Sequence, residues 1–162
     1  MKFIKKFKIV CNSVEKFTFI TSSILLIIML LVGWTHVFSR YFLNNSLTWS
    51  EEFLRYSLVY YSLLSASVIT RKKGHIGVVV FREKMPKFLD NILTTILTIV
   101  ELFTFVILFI AGINLIQKVQ GQLTPAMNIE MAIPFFGVTL SFLFMAVYSL
   151  EHFVDSFFKK NI

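Results

Sequence analysis

The chain has 162 residues, of which 56% are hydrophobic and 16% aromatic, and its mean hydropathy is +0.75. A soluble core of this size needs fewer apolar residues, so these values exclude a water-soluble globular protein. The formal net charge is +7, but the basic residues divide among three segments that flank apolar stretches. This distribution indicates membrane lipids with anionic headgroups as the partner, and no nucleic acid.

The segment before the first long apolar stretch is basic and amphipathic. Apolar residues recur at helical spacing between residues 3 and 14, and four lysines lie mostly off that stripe: Lys2, Lys5, Lys6 and Lys8. The pattern predicts a short interfacial helix on the membrane surface, with a frayed basic tail as the alternative. A signal peptide is not indicated, because Glu15 and Lys16 interrupt the apolar run and no small-residue cleavage site follows.

Four apolar stretches are long enough to cross about 30 Å of hydrocarbon as helices. Each is continuously apolar instead of alternating, which favours α-helices over a β-barrel. We therefore predict an all-α integral membrane protein, a single domain over 1–162, with four transmembrane helices at about 17–38, 48–70, 89–116 and 129–154.

Basic residues near the predicted helix ends indicate the orientation. One side of the membrane receives Lys2, Lys5, Lys6, Lys8, Arg71, Lys72, Lys73, Arg82, Lys84, Lys87, Lys159 and Lys160. The other side receives Arg40 and Lys118. Since cytoplasmic segments carry the excess of Lys and Arg, both termini and the 71–88 loop are predicted to be cytoplasmic.

A charged cluster opens the second helix, where residues 49–55 read Trp-Ser-Glu-Glu-Phe-Leu-Arg. Thr48 and Glu51 have the spacing of a capping box, which predicts a helix start at Thr48. Glu51 or Glu52 is spaced to pair with Arg55 on one helical face, and Trp49 suits the headgroup region. A helix cap, an ion pair within the helix and a tryptophan at the membrane interface would explain the cluster by structural roles alone. The alternative is that the cluster contacts a partner subunit. Adjacent glutamates point about 100° apart, so they do not form an acid/base pair.

The last two predicted helices contain residues that are unusual for a membrane span: an acidic residue in the third and a proline in the fourth. Glu101 lies well inside the third helix, where an ionised carboxylate is costly unless it is paired or protonated. One carboxylate without acidic or histidine companions at that depth is a poor proton relay, so we expect Glu101 to accept hydrogen bonds from a neighbouring helix or to stay protonated. Pro134 and Gly137, near the start of the fourth helix, permit a bend or a close helix approach.

No cofactor or metal is expected. Cys11 is the single cysteine, so an internal disulfide is not possible, and no Cys-x-x-C pair or His-rich tract indicates zinc or an iron–sulfur cluster. A haem held by two histidines would need His75 with His152, and His75 lies in a glycine-flanked loop. Hydrogen bonding near the interface is the simpler role for His36, His75 and His152.

These motifs together resemble a known family. Arg40, the 49–55 cluster and the run Arg-Lys-Lys-Gly-His-Ile-Gly-Val over 71–78 are similar to the small membrane subunit of tripartite ATP-independent periplasmic (TRAP) transporters. Ile-Pro-Phe-Phe-Gly over 133–137 resembles that family's closing motif. One departure is Gly-Val-Val over 77–79, where many relatives carry an acidic residue.

The resemblance implies an accessory subunit of the bacterial inner membrane, not an enzyme. Its expected partners are a large M-type membrane subunit, which moves as an elevator for sodium-coupled uptake of an organic anion, and a periplasmic substrate-binding protein. The small subunit would brace the large one. Candidate contact or structural residues are Arg40, Trp49, Glu51, Glu52, Arg55, Arg71, His75, Glu101 and Pro134.

Two alternatives remain open from the sequence. A self-contained four-helix transporter or channel needs polar side chains aligned through the midplane, where Glu101 is nearly the only candidate. A membrane redox subunit or enzyme needs a clustered cofactor or catalytic set, which the residues do not display. The identity of the transported acid is not encoded in this chain's motifs.

Overall fold

The computed structural model describes residues 2–72 and 87–159, and these form four α-helices. They are α1 (Lys2–Phe42), α2 (Thr48–Arg71), α3 (Lys87–Val119) and α4 (Ala132–Lys159). The predicted all-α class is confirmed. The described residues hold no β-strand, only an isolated antiparallel bridge between Leu123 and Glu130 in the connection from α3 to α4.

Helix α1 differs from the prediction at its start. A separate interfacial helix before residue 17 is not observed, because α1 is continuous over 41 residues, about 62 Å. The physical reason is the absence of helix-breaking residues, since the first glycine is Gly33 and no proline precedes it. The amphipathic pattern therefore describes the first turns of a long helix.

Three segments are long and apolar enough to cross a membrane: Phe7–Phe42, Ile92–Val119 and Ala132–Val154. Helix α2 is not among them, although its 24 residues span about 36 Å. Its sequence includes two glutamates, two arginines, five serines and three tyrosines. Three of the four predicted spans therefore meet the composition of a transmembrane helix, and α2 meets only the length.

The helices pack as a row in the order α1, α2, α4, α3. Helix α2 packs between α1 and α4, α3 packs along α4, and α1 touches α4 only marginally. Between α1 and α4 lies an apolar groove of about 410 Å³, with Tyr60 and Leu64 of α2 among its lining residues. A row leaves the broad faces of its helices open, and many apolar side chains of α1 and α3 are accordingly exposed.

Two glycines allow close packing along α4. A Cβ at Gly137 would collide with the ring of Tyr60, and one at Gly112 would collide with Thr139. The Tyr60 hydroxyl donates to the carbonyl oxygen of Ile133 at 2.6 Å, which fastens α2 to the first turn of α4. The close helix approach expected at Gly137 is thus observed.

Candidate functional site on helix α2

The two ends of the molecule carry different polar clusters, both built on α2. We call the end where α1 stops, α2 starts and residues 120–131 connect α3 to α4 the loop end. The opposite end, where Arg71 closes α2, is the termini end. Residues from both ends of the chain's described part meet there, since Glu15 and Glu151 contact Arg71.

At the loop end, Glu52 holds the connection between α3 and α4. Its Oε2 accepts hydrogen bonds from the backbone N–H groups of Ala126 at 2.9 Å and Met127 at 2.8 Å. The Tyr56 hydroxyl donates to its Oε1 at 3.1 Å. Only 9% of Glu52 is exposed. Backbone amides thus take the place of water around a carboxylate whose spacing in the sequence suggests Arg55 as its partner.

The connection also has internal order. The Thr124 N–H donates to the Ile129 carbonyl at 2.8 Å, and the Met131 N–H donates to the Gln122 carbonyl at 2.9 Å. Asn128 has a φ of +54°, a left-handed conformation that asparagine tolerates better than most residues. A folded loop of this kind presents a defined surface at the loop end.

Glu51 and Ser50 show that the predicted capping box is wrong. Helix α2 starts at Thr48 as predicted, but its N-cap is Leu47, with no side-chain cap hydrogen bond. The Ser50 hydroxyl donates to the Leu47 carbonyl at 2.6 Å and lies 2.6 Å from His36 Nδ1. Glu51 Oε1 lies 3.7 Å from His36 Nε2. Because the helix begins one residue earlier than a Thr48 cap requires, Thr48 already occupies the first turn.

His36 therefore has the hydrogen-bonding role that its position predicted. Its side chain is 11% exposed and it joins α1 to α2. The Ser50 hydroxyl has one proton, which it donates in the hydrogen bond to the Leu47 carbonyl oxygen. The Nδ1 atom of His36 is therefore the donor in its contact with the Ser50 oxygen. Glu51, 57% exposed, sits beside this contact instead of facing Arg55.

Arg55 is exposed, and no ion pair or hydrogen bond of its side chain is observed within residues 2–72 and 87–159. The predicted pairing with Glu51 or Glu52 does not form. Glu52 instead binds backbone amides of the α3–α4 connection, and Glu51 lies beside His36 of α1. The guanidinium of Arg55 is thus left on the outside of α2.

At the termini end, Arg71 joins three helices. Its Nε donates to Glu151 Oε2 of α4 at 3.0 Å, its Nη1 pairs with Glu15 of α1, and its Nη2 donates to Asn12 Oδ1 at 2.5 Å. The guanidinium carbon also lies 5.7 Å from the ring centre of the buried Tyr148. Arg71 and Glu151 side chains are 10% and 9% exposed. This network closes α1, α2 and α4 against one another.

The family model for the DctQ component of tripartite ATP-independent periplasmic transporters matches residues 28–159. The chain belongs to this family. It is thus a component of a TRAP transporter, and the resemblance seen in the sequence is confirmed. A comparison with curated proteins returns no match. The DctQ match includes Arg55, Glu52 and Arg71, while Asn12 and Glu15 precede it.

The remaining predicted residues of this DctQ-family chain are spread over the fold. Arg40 is exposed in the last turn of α1, and Trp49 is 43% exposed with its ring 6.4 Å from that of Phe53. Glu101 is partly buried midway along α3, and Pro134 is buried in the first turn of α4. His75 and most of the 71–88 loop lie outside the described residues, as do the side chains of Lys2, Lys5 and Lys6.

Sequence reasoning missed the partners of Arg71 and the contact made by Glu52. In the sequence Glu15 is prominent only as an interruption of an apolar run, and Glu151 belongs to no motif. A usable signal existed: both are acidic residues at the edge of an apolar stretch, on the side that also carries Arg71. No such signal exists for Glu52, because its partners are backbone amides.

In the described ranges, no three His, Cys, Asp or Glu side chains are grouped as metal ligands. The polar groups identified at the two ends are directed at helices and loops of the same chain. What the arrangement can do chemically is hold helices together and present surfaces. The Ser50 hydroxyl lies beside a histidine, His36, but both residues are buried.

Proposed function

We propose that this chain is the small scaffold subunit that braces the large membrane subunit of its TRAP transporter. In this role it does not carry substrate itself. The large subunit would perform the sodium-coupled uptake of an organic anion, a carboxylate or a sialic-acid-like molecule, after a periplasmic binding protein delivers it.

The observation that carries the proposal is the row of helices. A path for an ion or an organic anion must be enclosed by protein, because lipid does not solvate charge. Four helices in a row do not enclose such a path, but they form a slab with two broad faces. A slab is suited to enlarging and stiffening a partner within the bilayer.

The two polar clusters support the same conclusion. Glu52 and Arg71 fasten loop and helices of this chain to each other, so their charges are used for internal rigidity. A subunit that braces a moving partner needs such rigidity, since a flexible slab would deform with the motion. Glu101 is partly buried, and the other carboxylate of α3, Asp90, lies eleven residues earlier, about 16 Å along the helix and too far to pass a proton directly.

We further propose the orientation in the bacterial inner membrane. The excess of Lys and Arg near the termini and the 71–88 loop supports a cytoplasmic termini end. The loop end then faces the periplasm, where the folded connection 120–131 is available to the binding protein. Helix α2 would cross the bilayer as the fourth span, with α1 and α4 packed on two of its sides.

The test is co-purification followed by transport. An affinity-tagged chain, co-expressed with the large subunit of its own transporter, is expected to recover that subunit in detergent. In vesicles under a sodium gradient, this chain alone is expected to give no uptake of dicarboxylates or sialic acid. Failure to recover the large subunit, or sodium-driven uptake by the chain alone, would contradict the scaffold role.

A further inference from the structure

Arg55 is exceptional among the charges of α2. Glu51 lies beside His36, Glu52 accepts backbone hydrogen bonds, and Arg71 pairs with acidic residues of two other helices. Lys72, directly after the helix, lies 3.7 Å from Glu15. Within the described parts of the chain, Arg55 alone of this series has no such contact.

The neighbours of Arg55 form one open side of α2. Helical spacing places five exposed residues on this side, which we call the open face of α2: Arg55, Leu58, Val59, Ser62 and Ile69. The face extends over about 21 Å from Arg55 to Ile69. It points away from Leu64, which lines the groove between α1 and α4. The row thus has a purely apolar groove on one side and a face with a cation on the other.

The depth of Arg55 is set by its neighbour. Leu54 packs against Gly33 of α1, nine residues before the end of that helix. Arg55 therefore lies level with an apolar part of α1 that belongs to a candidate membrane span. A guanidinium at this level needs an anion within reach, because lipid chains do not solvate it.

Composition favours protein over lipid as the cover of this face. Helix α2 is the described helix that lacks the apolar character of a membrane span, yet α1 and α4 cover only two of its sides. An open side that combines an arginine and a serine with three aliphatic side chains suits a packed helix interface better than lipid tails. The groove exposes only apolar surface, which lipid tails can cover.

We infer that the open face of α2 is where a transmembrane helix of the large subunit docks, with a carboxylate of that subunit paired to Arg55. The inference rests on the scaffold role proposed above. The planar fork of arginine binds a carboxylate through two parallel hydrogen bonds, which also fixes the register of the two helices. Leu58, Val59 and Ile69 supply the apolar part of the contact.

Photo-crosslinking in the co-expressed complex tests the location. Benzoylphenylalanine is placed at Leu58 and, as the matched control, at Phe103, a 67% exposed residue of α3. We expect a strong covalent adduct between this chain and the large subunit from position 58 and a much weaker one from position 103. If the complex co-purifies while position 58 yields only adducts with lipid or a second copy, the docking face is wrong although the scaffold role stands.

Substitution of Arg55 tests the chemistry. Arg55→Ala is expected to lower recovery of the large subunit about tenfold or more, and Arg55→Lys to lower it less. Lys118→Ala, which removes an exposed cation from α3, is the control and is expected to change nothing. Arg55→Glu should be rescued by an acidic-to-arginine change in the large-subunit segment that crosslinks to position 58. Equal recovery for Arg55→Ala and Lys118→Ala overturns the ion pair.

A folding defect is separated from a docking defect by the isolated chain. Because Arg55 is exposed and forms no observed ion pair or side-chain hydrogen bond within the described residues, Arg55→Ala is expected to leave thermal unfolding of the purified chain unchanged. A lower unfolding temperature for Arg55→Ala would show an internal role for this residue and would contradict the inference.

Discussion

The loop end and the termini end use charge in different ways. At the loop end a single carboxylate, Glu52, accepts hydrogen bonds from two backbone amides and holds a connection in place. At the termini end a single guanidinium, Arg71, faces acidic side chains from two other helices. Every residue except proline has a backbone N–H, whereas a carboxylate partner requires Asp or Glu at one particular position. The termini end therefore depends on specific distant residues, while the loop end depends on the loop's conformation.

Removal of Arg71 is expected to have the largest effect. Arg71→Ala leaves Glu151 without its cation in a poorly hydrated site and leaves Glu15 with only the exposed Lys72, so it should lower the free energy of unfolding by about 3–5 kcal/mol. Thermal unfolding in detergent measures it. Lys72→Ala is the control, because Lys72 is 64% exposed and should contribute less than about 1 kcal/mol. Similar effects of the two substitutions would show that Arg71 does not hold the helices together.

Glu52→Ala is expected to act on the loop more than on the helices. Loss of hydrogen bonds to a charged acceptor should cost about 1.5–3 kcal/mol. The amides of Ala126 and Met127 should exchange with deuterium much faster, while those in the middle of α3 keep their protection. Glu51→Ala serves as control because Glu51 is 57% exposed. Unchanged exchange at 126 and 127 would refute the anchoring role.

Gly137→Ala tests the contact that links α2 to α4 between the two ends. The added methyl group collides with the Tyr60 ring, and overpacking of this kind costs about 1–3 kcal/mol of stability. Gly33→Ala is the matched control, since its added Cβ lies 3.9 Å from Leu54, an ordinary contact distance. Thermal unfolding should separate the two variants. Equal stability would mean that the helices readily shift apart at Tyr60.

The smallest effect is expected for Thr48→Ala. Replacing an N-cap threonine by alanine lowers the stability of a protein by about 1 kcal/mol. Thr48 is not the cap, so the stability should stay within about 0.5 kcal/mol of the original. Chemical or thermal unfolding checks this value. A loss near 1 kcal/mol would restore the capping box predicted from the sequence.

Part of the fold could be predicted because it depends on local patterns. The start and end of α2, and the apolar stretches within α1, α3 and α4, follow from hydropathy and spacing, which report each helix separately. The continuous α1 was not predicted, since an amphipathic stretch followed by an apolar one looks the same whether the helix is broken or straight. The absence of glycine and proline before Gly33 was the signal for one helix.

The candidate site shows the same limit more clearly. Glu51, Glu52 and Arg55 are neighbours in the sequence, so pairing among them was the natural expectation. The structure directs Glu52 to residues 126 and 127, more than 70 positions away. Spacing along one helix shows which of its own side chains can meet. A buried carboxylate, however, needs hydrogen bonds that replace water, and the donors of those bonds can come from any part of the chain.

Sequence by itself determined the membrane environment, the all-α class, the start of α2 and the resemblance to the TRAP small subunit, since all of these depend on composition and local order. Only the tertiary structure decided three features: the row α1, α2, α4, α3, the contacts of Arg71 with α1 and α4, and the exposure of Arg55 without an ion pair among the described residues. These depend on which helices lie side by side. That arrangement is set by long-range packing, which no single stretch of residues records.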